Sequence, residues 1–222
     1  MKLIHSAKKF TIRLAAAGVM SAVLVALPAA ESVASPHKEL SDVHHKVAFG
    51  VLNAKGGTAA LTVDPAVATG AAALGIGLAP IANATAVGNV WSFPVLSGRI
   101  MWMTRPAAGG TSVTRLVGGA LRLDGGITAT KGATTVTITR LVADLNEGRN
   151  GKVEANISGI QHHRVNALVI TSPTVNAVTR TATADLNLSE LSAKLLNKAL
   201  STTSFKRGMK IGTVVVTVPA PV

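Results

Sequence analysis

Thr135-Val136-Thr137-Ile138-Thr139-Arg140-Leu141-Val142-Ala143-Asp144-Leu145 alternates apolar and polar residues, and it changes phase halfway along. Val136 and Ile138 share one face; beyond Arg140 the apolar set passes to Leu141, Ala143 and Leu145. A period of two is the signature of a strand with one buried face. A change of phase inside a continuous run predicts a β-bulge near Arg140, where one extra residue restores the pairing. Ala182, Ala184, Leu186 and Leu188 repeat the alternation, with Thr181, Thr183, Asp185 and Asn187 on the other side. Thr58 to Val63 reads as a further strand. Val165 to Ile170 and Val214 to Val218 are apolar on both faces, which predicts central strands covered on each side. Trp91 to Val95 reads as an edge strand limited by Pro94.

Two helices interrupt the strands. Asp64-Pro65 is a cap followed by a first helical residue, and Gly75 ends the helix that runs through Ala66 to Leu74. Ser189 caps Glu190 to Leu200, where Leu191, Leu195, Leu196 and Ala199 fall on one half of the cylinder and Lys194, Asn197 and Lys198 on the other. Phe205 and Met209 follow as a seal between that helix and the last strand. The glycine pairs at 56-57, 109-110, 118-119 and 125-126 read as turns. The fold class these signals predict is mainly β, with sandwich-like antiparallel sheets and two short helices.

The amino terminus predicts export. Lys2, Lys8, Lys9 and Arg13 precede an apolar run from Leu14 to Leu27, and Ser32-Val33-Ala34 offers small residues for cleavage. That run is shorter than the roughly 20 residues of a membrane-crossing helix. The expected organisation is a signal peptide over residues 1–34, a flexible lead-in over 35–46 and a single β-rich domain over 47–222, with no membrane-spanning segment left after cleavage. The chain has no cysteine, so packing and hydrogen bonds must hold the fold. Losing four basic residues and one acid with the signal would take the formal charge from +12 to +9.

Such a charge either keeps an exported protein in solution or serves an anionic partner, a cell-wall polymer or a lipid surface, through attraction that weakens with salt; charge alone favours the first. Specific nucleic-acid binding is not expected, because Phe49, Trp91, Phe93, Trp102 and Phe205 are too few for a stacking platform. Arg99, Arg105, Lys206, Arg207 and Lys210 are the candidate anion contacts. His44-His45 and His162-His163 are adjacent pairs whose neighbours on a strand point to opposite faces, which argues against a metal site; His162 and His163 are the candidates for any cofactor contact. No Gly-x-Ser-x-Gly elbow is present. Asp64, Asp144, Asp185 and Glu190 hold structural positions, so no carboxylate pair can be nominated and no catalytic residue is assigned.

The run Val117-Gly118-Gly119-Ala120-Leu121-Arg122-Leu123-Asp124-Gly125-Gly126-Ile127, with Leu186-Asn187-Leu188, Ala193, Leu196-Asn197, Leu200, Phe205, Gly208 and Ile211-Gly212, resembles a family of secreted proteins from high-GC Gram-positive bacteria. More distantly it resembles the HtaA-like domains of haem-uptake proteins. The resemblance spans about residues 55 to 218 and implies an exported β-rich domain. HtaA-like domains bind haem through a tyrosine supported by a histidine, and this chain has no tyrosine. The expected function is an exported, non-catalytic module that associates with the cell envelope or an anionic extracellular polymer and needs no cofactor. The alternative is a carrier of haem or a small apolar ligand in a cavity between sheets. A hydrolase whose serines and acids meet only in space is a third class.

Overall fold

The computed structural model describes residues 47–106, 112–146, 150–158 and 164–220. The expected signal peptide and lead-in, the histidine pairs and the glycines at 109-110 lie outside these residues. Twelve strands and two helices follow one another along the described chain. They are β1 (Ala48–Ala54), β2 (Thr58–Val63), α1 (Pro65–Ala73), β3 (Ile76–Ile81), β4 (Thr85–Val87), β5 (Val90–Pro106) and β6 (Ser112–Leu123). After these come β7 (Gly126–Lys131), β8 (Thr134–Asn146), β9 (Gly151–Ile157), β10 (Val165–Asn176), β11 (Thr181–Leu188), α2 (Glu190–Ala199) and β12 (Lys210–Thr217).

Every pairing is antiparallel, and the order β5-β2-β12-β11-β10-β9-β8 is brought round into a ring by β6, which pairs with both β5 and β8. The result is an eight-stranded barrel rather than the expected sandwich. The alternation along a strand is the same in both architectures, because each buries one face. What separates them is a pairing between β6 and its two neighbours, which no local pattern encodes. β1 extends the β2 edge along the second half of β5, and β7 and β3 branch from the first half of β8.

Closure requires sharp coiling between β5 and β6, and glycine makes it possible there. Gly98 and Gly119 have φ of +151° and +137°. A Cβ on Gly98 would collide with the carbonyl oxygen of Ala120, and one on Gly119 with that of Arg99. The glycine pair at 118-119 is therefore inside a strand and not at the expected turn. Glycine inside a strand marks close backbone approach at a bend.

The single wall also explains other departures from expectation. Pro94 does not end an edge strand; β5 runs on through it for 17 residues, because the Pro94 carbonyl accepts Asp124 N–H at 2.8 Å while Val95 N–H donates to Gly57 at 3.0 Å. Val214 and Val216 face the interior, whereas Val215 is 37% exposed. The last strand has one wet face, as does β10 with Asn166 exposed, since no second layer covers the outside. The bulge near Arg140 is present: the β8–β9 register shifts between Thr139 and Val142, and Arg140 takes φ +55°.

Both helix caps form as the sequence implies. Asp64 accepts Ala66 N–H at 2.9 Å, and Ser189 accepts Ser192 N–H at 3.1 Å. α2 presents Ala193 and Leu196 to one end of the barrel, against Leu188, Val165 and Ile157. Leu191 is left 46% exposed, contrary to its expected place on the apolar face. Asn197, placed by periodicity on the outer half, instead holds the Phe205 backbone through two hydrogen bonds of 2.8 and 3.0 Å. Phe205 and Met209 pack against the core as the expected seal.

Gly119→Ala should destabilise the protein by more than about 2 kcal/mol, since strained backbone and a collision with the neighbouring strand act together. Urea unfolding followed by circular dichroism measures it; an unchanged midpoint would contradict the closure described here.

Candidate functional site

Bulges decide which side chains reach the outside of the wall. Trp91, Phe93 and Val95 face the interior; the β5–β6 register then shifts between Val95 and Ser97, leaving Leu96 outside the pairing. From there Ile100 turns inward while Ser97 and Arg99 turn outward. Opposite them, Leu121 is buried and Ala120 and Arg122 are exposed. The bulge in β8 works the same way, sending Leu141 into the core and Arg140 to solvent.

These residues build a surface groove with two lobes. One lobe, about 370 Å³, lies among Asn53, Ser97, Gly98, Arg99, Ala120, Arg122 and Val142. The other, about 480 Å³, shares Arg122 and Val142 and adds Arg140, Arg164 and Asp124. Four arginines thus line two neighbouring depressions that meet at Arg122 and Val142, against one carboxylate. Asp124 is held in place by Asn83 Nδ2 at 2.7 Å and by Gly125 N–H at 2.8 Å, and these hydrogen bonds keep its carboxyl below the usual carboxylate range.

The next acids along the wall are engaged elsewhere. Lys152 Nζ lies 2.6 Å from Glu154 and 3.8 Å from Asp144, and the hydrogen bond to Glu154 raises its own pKa. No described carboxylate forms an ion pair with Arg99, Arg122, Arg140 or Arg164. Guanidinium groups in this state offer planar forks to phosphate or carboxylate oxygens.

The barrel interior is the second space. Two adjoining cavities, about 120 Å³ and 60 Å³, have apolar walls, in part because Ala59, Ala143, Ala167, Ala182 and Ala184 stand at inward positions. Both are far below the roughly 300–1,000 Å³ of pockets that enclose drug-sized ligands. The described residues contain no histidine, tyrosine or cysteine. The two cavities as described are too small to enclose haem.

Of the candidate anion contacts, Arg99 lines the groove. Arg105 is exposed further along β5, where it pairs in register with Val113. Lys206, Arg207 and Lys210 lie after α2 and do not line the groove; Arg207 stands 3.6 Å from Glu190, and Lys210 stands 2.9 Å from Asp185. Arg122, Arg140 and Arg164 were not among the sequence candidates. The phase change at Arg140 was the one signal that could have drawn attention to them. His162 and His163 lie outside the described residues.

A scan against protein-family models finds no match, and no curated protein matches the chain. Among solved structures, the C-terminal domain of HtaA from Corynebacterium glutamicum is similar in fold, with a TM-score of 0.50 and 14% sequence identity over 76% of this chain and 99% of that one. The distant likeness to HtaA read from turns and apolar positions is thus present in three dimensions. At this identity it bears on the fold alone. No helix among the described residues is long and apolar enough to cross a membrane.

Asp124, whose carboxyl the hydrogen bonds from Asn83 and Gly125 hold below the usual carboxylate range, stays ionised near neutrality. Affinity for an anion should stay within about twofold from pH 5 to 9, whereas a loss centred near pH 6.5 would place a histidine in the contact. Asp124, Asp185 and Glu190 all have lowered folded-state pKa values. Their contribution to stability is complete above the unfolded values near about pH 4 and is lost as pH falls through the lower folded ones. A thermal melt repeated on descending pH should show the midpoint dropping below about pH 4.

Proposed function

We propose that this chain is an exported, non-catalytic binding module that holds an anionic polymer of the cell envelope in the groove between β5, β6 and β8. The observation that carries the reading is the arrangement of Arg99, Arg122, Arg140 and Arg164 around two neighbouring depressions, with no described carboxylate paired to any of them. The basic and apolar opening of the sequence, residues 1–34, supports delivery to where such polymers are found. Formal charge of this sign attracts the polymer from a distance, and the guanidinium forks give the contact its geometry.

The purified protein, mixed with purified cell walls and centrifuged, should sediment with them at low salt and remain free at high salt. Arg99→Ala combined with Arg122→Ala should weaken the association at least about tenfold, from the loss of charge-assisted hydrogen bonds. Recovery of all the protein in the supernatant at low salt would defeat the proposal.

A second reading rests on the interior. Cavities of about 120 and 60 Å³ with apolar walls suit a guest of about the size of benzene, since apolar spaces of this scale stay dry and accept such molecules. A carrier role predicts that benzene raises the melting temperature and that filling the larger space with Ala167→Leu abolishes the rise. An unchanged melting temperature in saturating benzene would leave the cavities as packing defects only.

A further inference from the structure

On the reading that the groove is the anion site, its arginines have a direction as well as a charge. Arg99 on β5 pairs with Ala120, and Arg122 stands two residues further along β6. Arg122 pairs with Val142, and Arg140 stands two residues further in the same direction on β8. The three lie on one diagonal across three strands; diagonal neighbours on a regular ladder are about 7–8 Å apart, which describes Arg99 and Arg122, while Arg140 stands in the bulge just past the last β6–β8 pair. Arg164, exposed at the start of β10 beside Val165, continues the line beyond β9.

Arg140 is also the one groove arginine in a disfavoured backbone conformation, with φ +55° in the β8 bulge. Residues carrying a Cβ adopt this region reluctantly, and glycine enters it freely. Among the described residues Arg140 makes no side-chain hydrogen bond or ion pair. This differs from Arg180, also left-handed at φ +54°, whose guanidinium holds the Val218 and Pro219 carbonyls. Strained residues cluster at ligand sites; Ala82, Ser172 and Ser201 share the left-handed conformation, but Arg140 alone of the five carries it into the arginine groove with a charged side chain that no described group holds.

We infer that the groove binds a single polyol- or sugar-phosphate chain laid along this diagonal, with successive phosphates meeting Arg99, Arg122 and Arg140. The left-handed bulge sets the third of these contacts. Gly98, Ser97 and Ala120 keep the floor of the first lobe low enough for a chain to lie across it. No aromatic side chain among the described residues lines either lobe, and bases bind best where they can stack, which favours a polyol or sugar backbone over nucleic acid.

Calorimetric titration of the full chain tests this with four probes: inorganic phosphate, a glycerol-phosphate trimer, a galacturonate trimer and a thymidylate trimer. The glycerol-phosphate trimer should bind at least about tenfold more tightly than inorganic phosphate, the factor expected from one additional charge-assisted contact. Arg140→Gly should remove most of that advantage and give a melting temperature equal to or above that of the parent. A trimer no tighter than phosphate overturns the chain-binding inference and leaves the anion site standing. Tighter binding of galacturonate or thymidylate overturns the choice of polymer. Unaltered trimer affinity in Arg140→Gly, or a lower melting temperature, overturns the role given to the bulge. Binding of none of the four defeats the proposed function itself.

Discussion

β6 pairs on both edges, with β5 on one side and β8 on the other, and that double pairing turns a long antiparallel sheet into a barrel. Everything else depends on it. An open sheet of valine, leucine and alanine would need a second layer to bury its apolar face; closing the ring lets the face bury itself. Gly98 and Gly119 permit the approach, because at each a Cβ would meet a carbonyl of the neighbouring strand. The same three strands carry Arg99, Arg122 and Arg140. Closure and the arrangement of the groove are therefore one event.

The interior is less completely filled than the wall around it. Alanine at several inward positions leaves apolar space along the axis, while α2 with Phe205 covers one end. Packing of this kind must carry the stability alone, since the chain has no disulfide to limit its unfolded state. The exact helix caps at Asp64 and Ser189, and the clamp of Asn197 on the Phe205 backbone, add directional bonds where the packing gives way to turns.

Outside the barrel, charge is sorted. Asp144 and Glu154 engage Lys152, Asp185 engages Lys210, and Glu190 engages Lys194 and Arg207. Exposed pairs of this type contribute little to stability. Their consequence is electrostatic: they occupy acids that would otherwise compete for the groove arginines. Four of the described arginines that form no ion pair with a described acid line the groove, where Asp124 is the one described carboxylate.

Much of this was legible in the residues. Alternation in Thr181 to Leu188, the capped starts at Asp64 and Ser189, and the phase change at Arg140 each depend on contacts within one strand or one helical turn, and each appears where expected. The path of β5 through Pro94 was hidden, because the bulge at Leu96 breaks the period that would have joined its halves. Arg122 and Arg164 gave no local sign of being neighbours of Arg99. Sequence alone determined that the chain is β-rich, basic, free of cysteine and interrupted by two capped helices, since those properties are carried by composition and short-range periodicity. Only the tertiary structure decided that the sheet closes and that four distant arginines share a groove, because strand pairing joins residues by register across the ring, and register is set by bulges and glycines acting together.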